Sequence, residues 1–174
     1  DAFNNLSDAA SSVIQILGFK LSSKNPDPEH PFGHGRIEYI SGLIISFLIL
    51  LMGFELLKSS VGAILHPQSL ALNTFSVITM IFAILIKLYM MIYNLSIAKK
   101  INSVSMKATA TDSFFDCIST FLVLLSLILS NFTTLPVDGI AGVVVSLFIL
   151  YGGLSSAFET IEPLLGTSPD KDFV

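Results

Sequence analysis

Two pairs of oxygen-bearing side chains stand where so apolar a chain has least reason to place them. Asn4 and Asp8 lie in one apolar stretch, and Asp112 and Asp116 lie in another. Each pair is spaced i, i+4, so on a helix both members project from one face, one turn apart. Two such helices can offer four oxygen donors to a common point. A carboxylate in a hydrocarbon layer costs about 2.5–3.5 kcal/mol on insertion scales, so its default reading is functional, with a partner to be named. The bland alternative makes these residues helix caps or water-facing polar groups. Against it, three acids at one level repel one another unless a cation or protons intervene.

Four oxygen donors with neither His nor Cys among them suit a hard divalent cation. Zinc recruits imidazole or thiolate, whereas carboxylate and amide oxygens suit manganese or magnesium. Asn4 in place of a carboxylate removes one negative charge and one proton-binding site, which weakens zinc more than a metal content with neutral oxygen. Metal and protons compete for the same aspartate oxygens. A site that exchanges one for the other inside the membrane is the core of a secondary antiporter.

The elements that must hold these residues are membrane helices. The 174 residues are 52% hydrophobic and only 13% charged, with a mean hydropathy of +0.77, against about 25% charged in soluble domains. An all-α, polytopic transmembrane bundle follows. Nine dispersed basic residues leave no nucleic-acid footprint, so the partner is the lipid bilayer. Five segments approach the roughly 20 apolar residues a span needs: about 1–20, 36–64, 73–98, 104–130 and 137–163. They make up a transmembrane domain over 1–166, and 167–174 reads as the start of a linker to a cytoplasmic domain absent here. No secretory signal is visible, and the start at Asp1, inside an apolar segment, suggests missing chain upstream.

Lys20, Lys24 and Arg36 flank the link 21–35, and Lys99, Lys100 and Lys107 flank the third link, 99–107; the second and fourth links carry no Lys or Arg. The positive-inside rule therefore puts links 21–35 and 99–107 and the carboxy-terminal end in the cytoplasm. That orientation permits a test of depth. Asp8 lies twelve residues before Lys20 and Asp112 twelve after Lys100, with Asn4 and Asp116 sixteen away in the same comparison. The helices run in opposite directions, so at about 1.5 Å per residue both pairs lie roughly 18 to 24 Å from the cytoplasmic end. The four groups can share one layer.

Lys87, twelve residues before Lys99, falls at the same depth. It can act as a counter-ion within the site or snorkel toward water. Arg36 is a second candidate charge partner, set with Glu38 against a neighbouring helix or subunit. In the first link, Asp27, His30 and His34 form a second candidate metal set, or the histidines shape a bend whose φ freedom comes from Gly33 and Gly35. Glu55 and Lys58, at i, i+3, read as a surface pair. Glu159 and Glu162 read as surface charge at a helix end, and Asp138 as a helix cap. Cys117, the sole cysteine, reads as a small buried hydrophobe. Gly139, Gly142, Gly152 and Gly153 allow one face of the last helix to approach a neighbour closely.

The chain resembles the cation diffusion facilitators, proton-coupled exporters of divalent metals. The resemblance rests on Asn4–Asp8, on the run His30, Pro31, Phe32, Gly33, His34, Gly35 with Arg36 and Glu38, and on Asp112–Asp116. It implies that the five segments are helices two to six of a six-helix fold. It further implies a homodimer in the cell membrane, alternating access in which helices one, two, four and five rock against three and six, and a cytoplasmic domain after the last helix. The quartet Asn4, Asp8, Asp112, Asp116 looks like the manganese-type subgroup, with Mn²⁺ as transported substrate and protons as counter-substrate; Zn²⁺, Fe²⁺ and Cd²⁺ remain alternatives. An acidic-lined cation channel is a further alternative. An intramembrane aspartyl protease is disfavoured because its Gly-x-Gly-Asp motif is missing.

Overall fold

The computed structural model describes residues 2–66, 74–129 and 137–166, with the side chains of all but 2–6, 137 and 138. Five helices follow one another: α1 (Ala2–Ser22), α2 (Arg36–Leu65), α3 (Thr74–Ile101), α4 (Val104–Leu129) and α5 (Val137–Leu165). Their bounds lie within three residues of the sequence expectation. The expected linker at 167–174 and the outer links near 67–73 and 130–136 fall outside the described residues.

Four of the helices, α2 to α5, are long and apolar enough to cross a membrane. The expected fifth, α1, is 21 residues long but more polar. Ser7, Asp8, Ser11, Ser12 and Gln15 dilute its apolar content, and Ser7 and Ser11 are turned inward and buried. A helix that buries polar groups against its neighbours is poorly scored by apolarity alone.

The most extensive contacts join α2 to α5 and α3 to α4, while α1 packs on α2 and touches α4. The α2–α5 approach is set by small residues. A Cβ on Gly142 would lie 2.2 Å from Ser60 Oγ, and one on Gly139 would lie 2.9 Å from the Ser60 carbonyl oxygen. Ser46 and Ser156 exchange a hydrogen bond of 2.8 Å across the same pair. Gly152 instead receives the ring of Phe115 from α4, where a Cβ would meet Cζ at 2.1 Å. Phe115 thus joins Ile45, Ile49, Ala108 and Ile149 in the apolar core. Phe114, its neighbour, is 39% exposed and faces outward.

The α3–α4 turn is tight. Asn102 takes a left-handed conformation at φ 52°, which Asn tolerates better than most residues. Ser103 then caps α4, its hydroxyl accepting the Met106 N–H at 3.2 Å. At α2 the link ends without a side-chain cap: Gly35 has φ −55°. Only Gly33, at φ 81°, uses the freedom expected of both glycines in this bend.

Candidate metal centre in the bundle

Asp8, Asp112 and Asp116 converge from α1 and α4. Each offers a carboxylate oxygen, and these oxygens lie within 4.8 Å of one another, a spacing that one cation could bridge. Asp112 and Asp116 are buried, at 5% and 2% exposure, because α4 turns its polar residues Ser105, Thr109, Asp112, Ser113 and Asp116 into the bundle. Asp8 is partly exposed. Asn4 lies one turn before Asp8 on α1, but its side chain is outside the described residues.

Lys87 of α3 enters this cluster. Its Nζ donates to Asp8 Oδ2 at 2.5 Å and to Asp116 Oδ2 at 2.6 Å. Lys87 thus lies at ion-pair distance from two of the three carboxylates. Arg36 does not share this position: it is exposed at the start of α2 and forms no ion pair among the described residues. The Cys117 Sγ–H reaches the Ile84 carbonyl on α3 at 3.8 Å, and the residue is partly rather than fully buried.

A cavity of about 320 Å³ adjoins the buried aspartates, lined by Asp112, Asp116, Ser119, Thr120, Met52 and Glu55 among others. These residues place it on the side away from Lys99, Lys100 and Lys107. Ser119 and Thr120 donate their hydroxyl hydrogens to the carbonyls of Phe115 and Asp116, at 2.9 and 2.8 Å. Their oxygens keep lone pairs free for further contacts. Glu55 was expected to pair with Lys58, and no such ion pair forms among the described residues. The i, i+3 spacing makes the two neighbours on α2 without forcing their side chains together, and Glu55 lines the cavity instead.

On the other side of the aspartates the helices are closely packed. A Cβ on Gly18 of α1 would lie 2.2 Å from Ser41 Oγ of α2, and one on Gly42 would lie 3.2 Å from the Ser105 backbone of α4. Thr109 donates to Gln15 Oε1 at 3.1 Å, tying α4 to α1. Lys107 and Glu159 form a 2.5 Å ion pair between the ends of α4 and α5, a partner the sequence did not assign to Glu159. Ser11, Gln15 and Thr109 also escaped the sequence reading, although Ser11 and Gln15 continue the Ser7 face of α1 at four-residue intervals.

The second set lies in the link between α1 and α2. Asp27, His30 and His34 bring ligand atoms within 4.8 Å of one another. The His30 backbone N–H donates to Asp27 Oδ1 at 2.7 Å, and His30 Nδ1 lies 3.1 Å from the same oxygen. His34 Nε2 is 3.5 Å from Asp27 Oδ2, and the two imidazole rings sit 4.5 Å apart. Desolvation pushes the Asp27 carboxyl upward. The hydrogen bonds from His30 and the charges of His30 and His34 outweigh it, holding the group below its ordinary value of 3.8.

Residues 1–165 match the family described as the cation efflux transmembrane domain. An uncharacterized transporter of Methanocaldococcus jannaschii is 34% identical over 173 residues, which cover 99% of this chain and 61% of that protein. The manganese efflux system protein MneS of Bacillus subtilis is 29% identical over 149 residues, or 86% of this chain and 51% of the relative. The cation-efflux pump FieF of Klebsiella pneumoniae is 24% identical over 170 residues, covering 97% and 57%. The chain therefore spans roughly half to three fifths of the length of these relatives.

Proposed function

This chain belongs to the cation efflux family, a family of transporters rather than enzymes, and on that premise we propose that it is the membrane part of an exporter moving Mn²⁺ out of the cytoplasm in exchange for protons. The observation that carries the reading is the all-oxygen cluster: Asp8, Asp112 and Asp116 lie within 4.8 Å of one another, with no imidazole or thiolate ligand among them. Asn4, one turn before Asp8 in the sequence, is the candidate for a fourth oxygen ligand. Such a donor set favours manganese over zinc, and a relative named for manganese efflux agrees with it.

In this reading the end bearing Lys20, Lys24, Arg36, Lys99, Lys100 and Lys107 is cytoplasmic, and the protein works as a homodimer in the cell membrane. The metal reaches the aspartates from that end and leaves through the cavity lined by Glu55, Ser119 and Thr120. The aspartates take up protons as the metal departs. In the alternation that the family resemblance implies, the α2–α5 pair is the frame against which α1, α3 and α4 rock, a division supported by the packing of α2 on α5 and of α3 on α4. Asp27, His30 and His34 form a second, cytoplasmic metal site.

A zinc- or iron-selective exporter is the second reading, supported by the imidazoles of that link. The deciding measurement is uptake by proteoliposomes of the full-length protein under an imposed pH gradient, with Mn²⁺, Zn²⁺, Fe²⁺ and Cd²⁺ in competition. Mn²⁺ should outcompete the others, and its uptake should collapse when the gradient is removed. Preference for zinc would overturn the manganese assignment, and gradient-independent flux would overturn the exchange.

A further inference from the structure

We propose that Lys87 is a tethered competitor of the transported cation, taking Asp8 and Asp116 when no metal is carried and yielding them when metal arrives. The inference rests on the reading of Asp8, Asp112 and Asp116 as the transport site and adds a residue that regulates it. Its ground is the position of one ammonium between two helices. Lys87 Nζ lies 2.5 Å from Asp8 Oδ2 and 2.6 Å from Asp116 Oδ2, so it bridges α1 and α4 from α3.

A cation bound by all three aspartates must bind the carboxylates of Asp8 and Asp116, whose Oδ2 atoms Lys87 now holds. Two positive charges cannot both sit at contact distance from the same carboxylate oxygens without strong mutual repulsion in a partly desolvated site. Metal binding and the Lys87 contacts are therefore mutually exclusive, or nearly so.

The ammonium has somewhere to go. Helical side chains lean toward the helix N-terminus, which for Lys87 is the direction of Met80, two turns earlier on α3. Met80 lines the cavity beside Asp112 and Asp116. The flexible four-carbon stem of a lysine lets the charge swing from the carboxylates toward that cavity while its backbone stays in place. An arginine would hold the same charge in a broad, planar fork that fits two carboxylates but withdraws less readily.

Two consequences follow. The competitor weakens metal binding, which favours release over trapping. It also ties α1, α3 and α4 together during the step in which no metal is carried, and the proton of that step then falls to Asp112, whose carboxylate forms no ion pair with Lys87 among the described residues.

The test uses the full-length protein in nanodiscs with Mn²⁺ as the probe. Lys87→Gln should bind Mn²⁺ at least ten-fold more tightly than the wild type while sustained exchange in proteoliposomes falls at least ten-fold. Lys87→Arg should bind no more tightly than the wild type. Equal or weaker Mn²⁺ binding by Lys87→Gln overturns the proposal. In the wild type, labelling of the Lys87 amine by a small acylating reagent, read by mass spectrometry, should rise when Mn²⁺ is added. This second measurement does not depend on the variant folding, and unchanged labelling also overturns the proposal. Asp112→Asn separates the two levels: if it binds Mn²⁺ like the wild type, the transport-site reading fails, whatever Lys87 does.

Discussion

The two metal-capable clusters of this protein are built on opposite principles. Asp8, Asp112 and Asp116 are held by long helices inside the bundle, with Asp116 2% exposed and Lys87 already among them. Asp27, His30 and His34 hang on the link between α1 and α2, with Asp27 and His30 at 41% and 55% exposure and Asp27 accepting from His30. In the first cluster the surroundings disfavour bare charge, so a cation is needed for stability and its exchange can do work. In the second, water reaches Asp27 and His30, so a cation captured there is not needed to hold the cluster together. The buried set is suited to coupling and the exposed set to local shaping or capture.

The sharpest way to break this contrast is to remove one ligand from each cluster. Asp112→Ala in the full-length protein should lower Mn²⁺-driven proton flux in liposomes by about 100-fold or more, equivalent to about 2.7 kcal/mol of transition-state stabilisation. Unchanged flux would remove the bundle cluster from the transport path. Asn4→Asp or Asn4→His should move the Zn²⁺ to Mn²⁺ preference ratio by about 10-fold toward zinc, or about 1.4 kcal/mol. Identical competition profiles would show that Asn4 does not set selectivity.

The smallest effect belongs to the link. Asp27→Asn should leave Mn²⁺ flux within about two-fold, as expected for an exposed ion pair; a loss like that of Asp112→Ala would erase the distinction between the clusters. The pH dependence of the link has a definite sign. The folded Asp27 titrates below its ordinary 3.8, so its contribution to the turn is complete above that value and is lost as pH falls through the lower, folded value. The carboxyl-carbon NMR shift of Asp27 should therefore show it ionised at its ordinary value of 3.8 and move only below it.

Much of this was readable from the chain. Apolar runs of about twenty residues bounded by prolines or lysines leave little choice of element, and counting residues from the lysines put both acidic pairs and Lys87 at one depth. Depth alone does not give rotation about the helix axis. That Lys87 meets Asp8 and Asp116 depends on how α3 packs on α4, a rotation that spacing along the chain does not set. The same gap explains Glu55, whose spacing from Lys58 was plain while its direction was not. Arg36 shows the limit for surface charge: its place at the start of α2 was evident, but no partner among the described residues meets it. The polarity of α1 made sense only once Ser7 and Ser11 were seen buried.

The turn at Asn102 and Ser103 bears on how the protein enters the bilayer. With only these two residues between α3 and α4, the helices form a hairpin that carries Lys87 on one arm and Asp112 and Asp116 on the other. Placed separately in the apolar core, a lysine or an aspartate would each cost about 2.5–3.5 kcal/mol. Delivered together, Lys87 and Asp116 can leave the translocon as a neutralised dipole and meet Asp8 on α1, which precedes them in the chain.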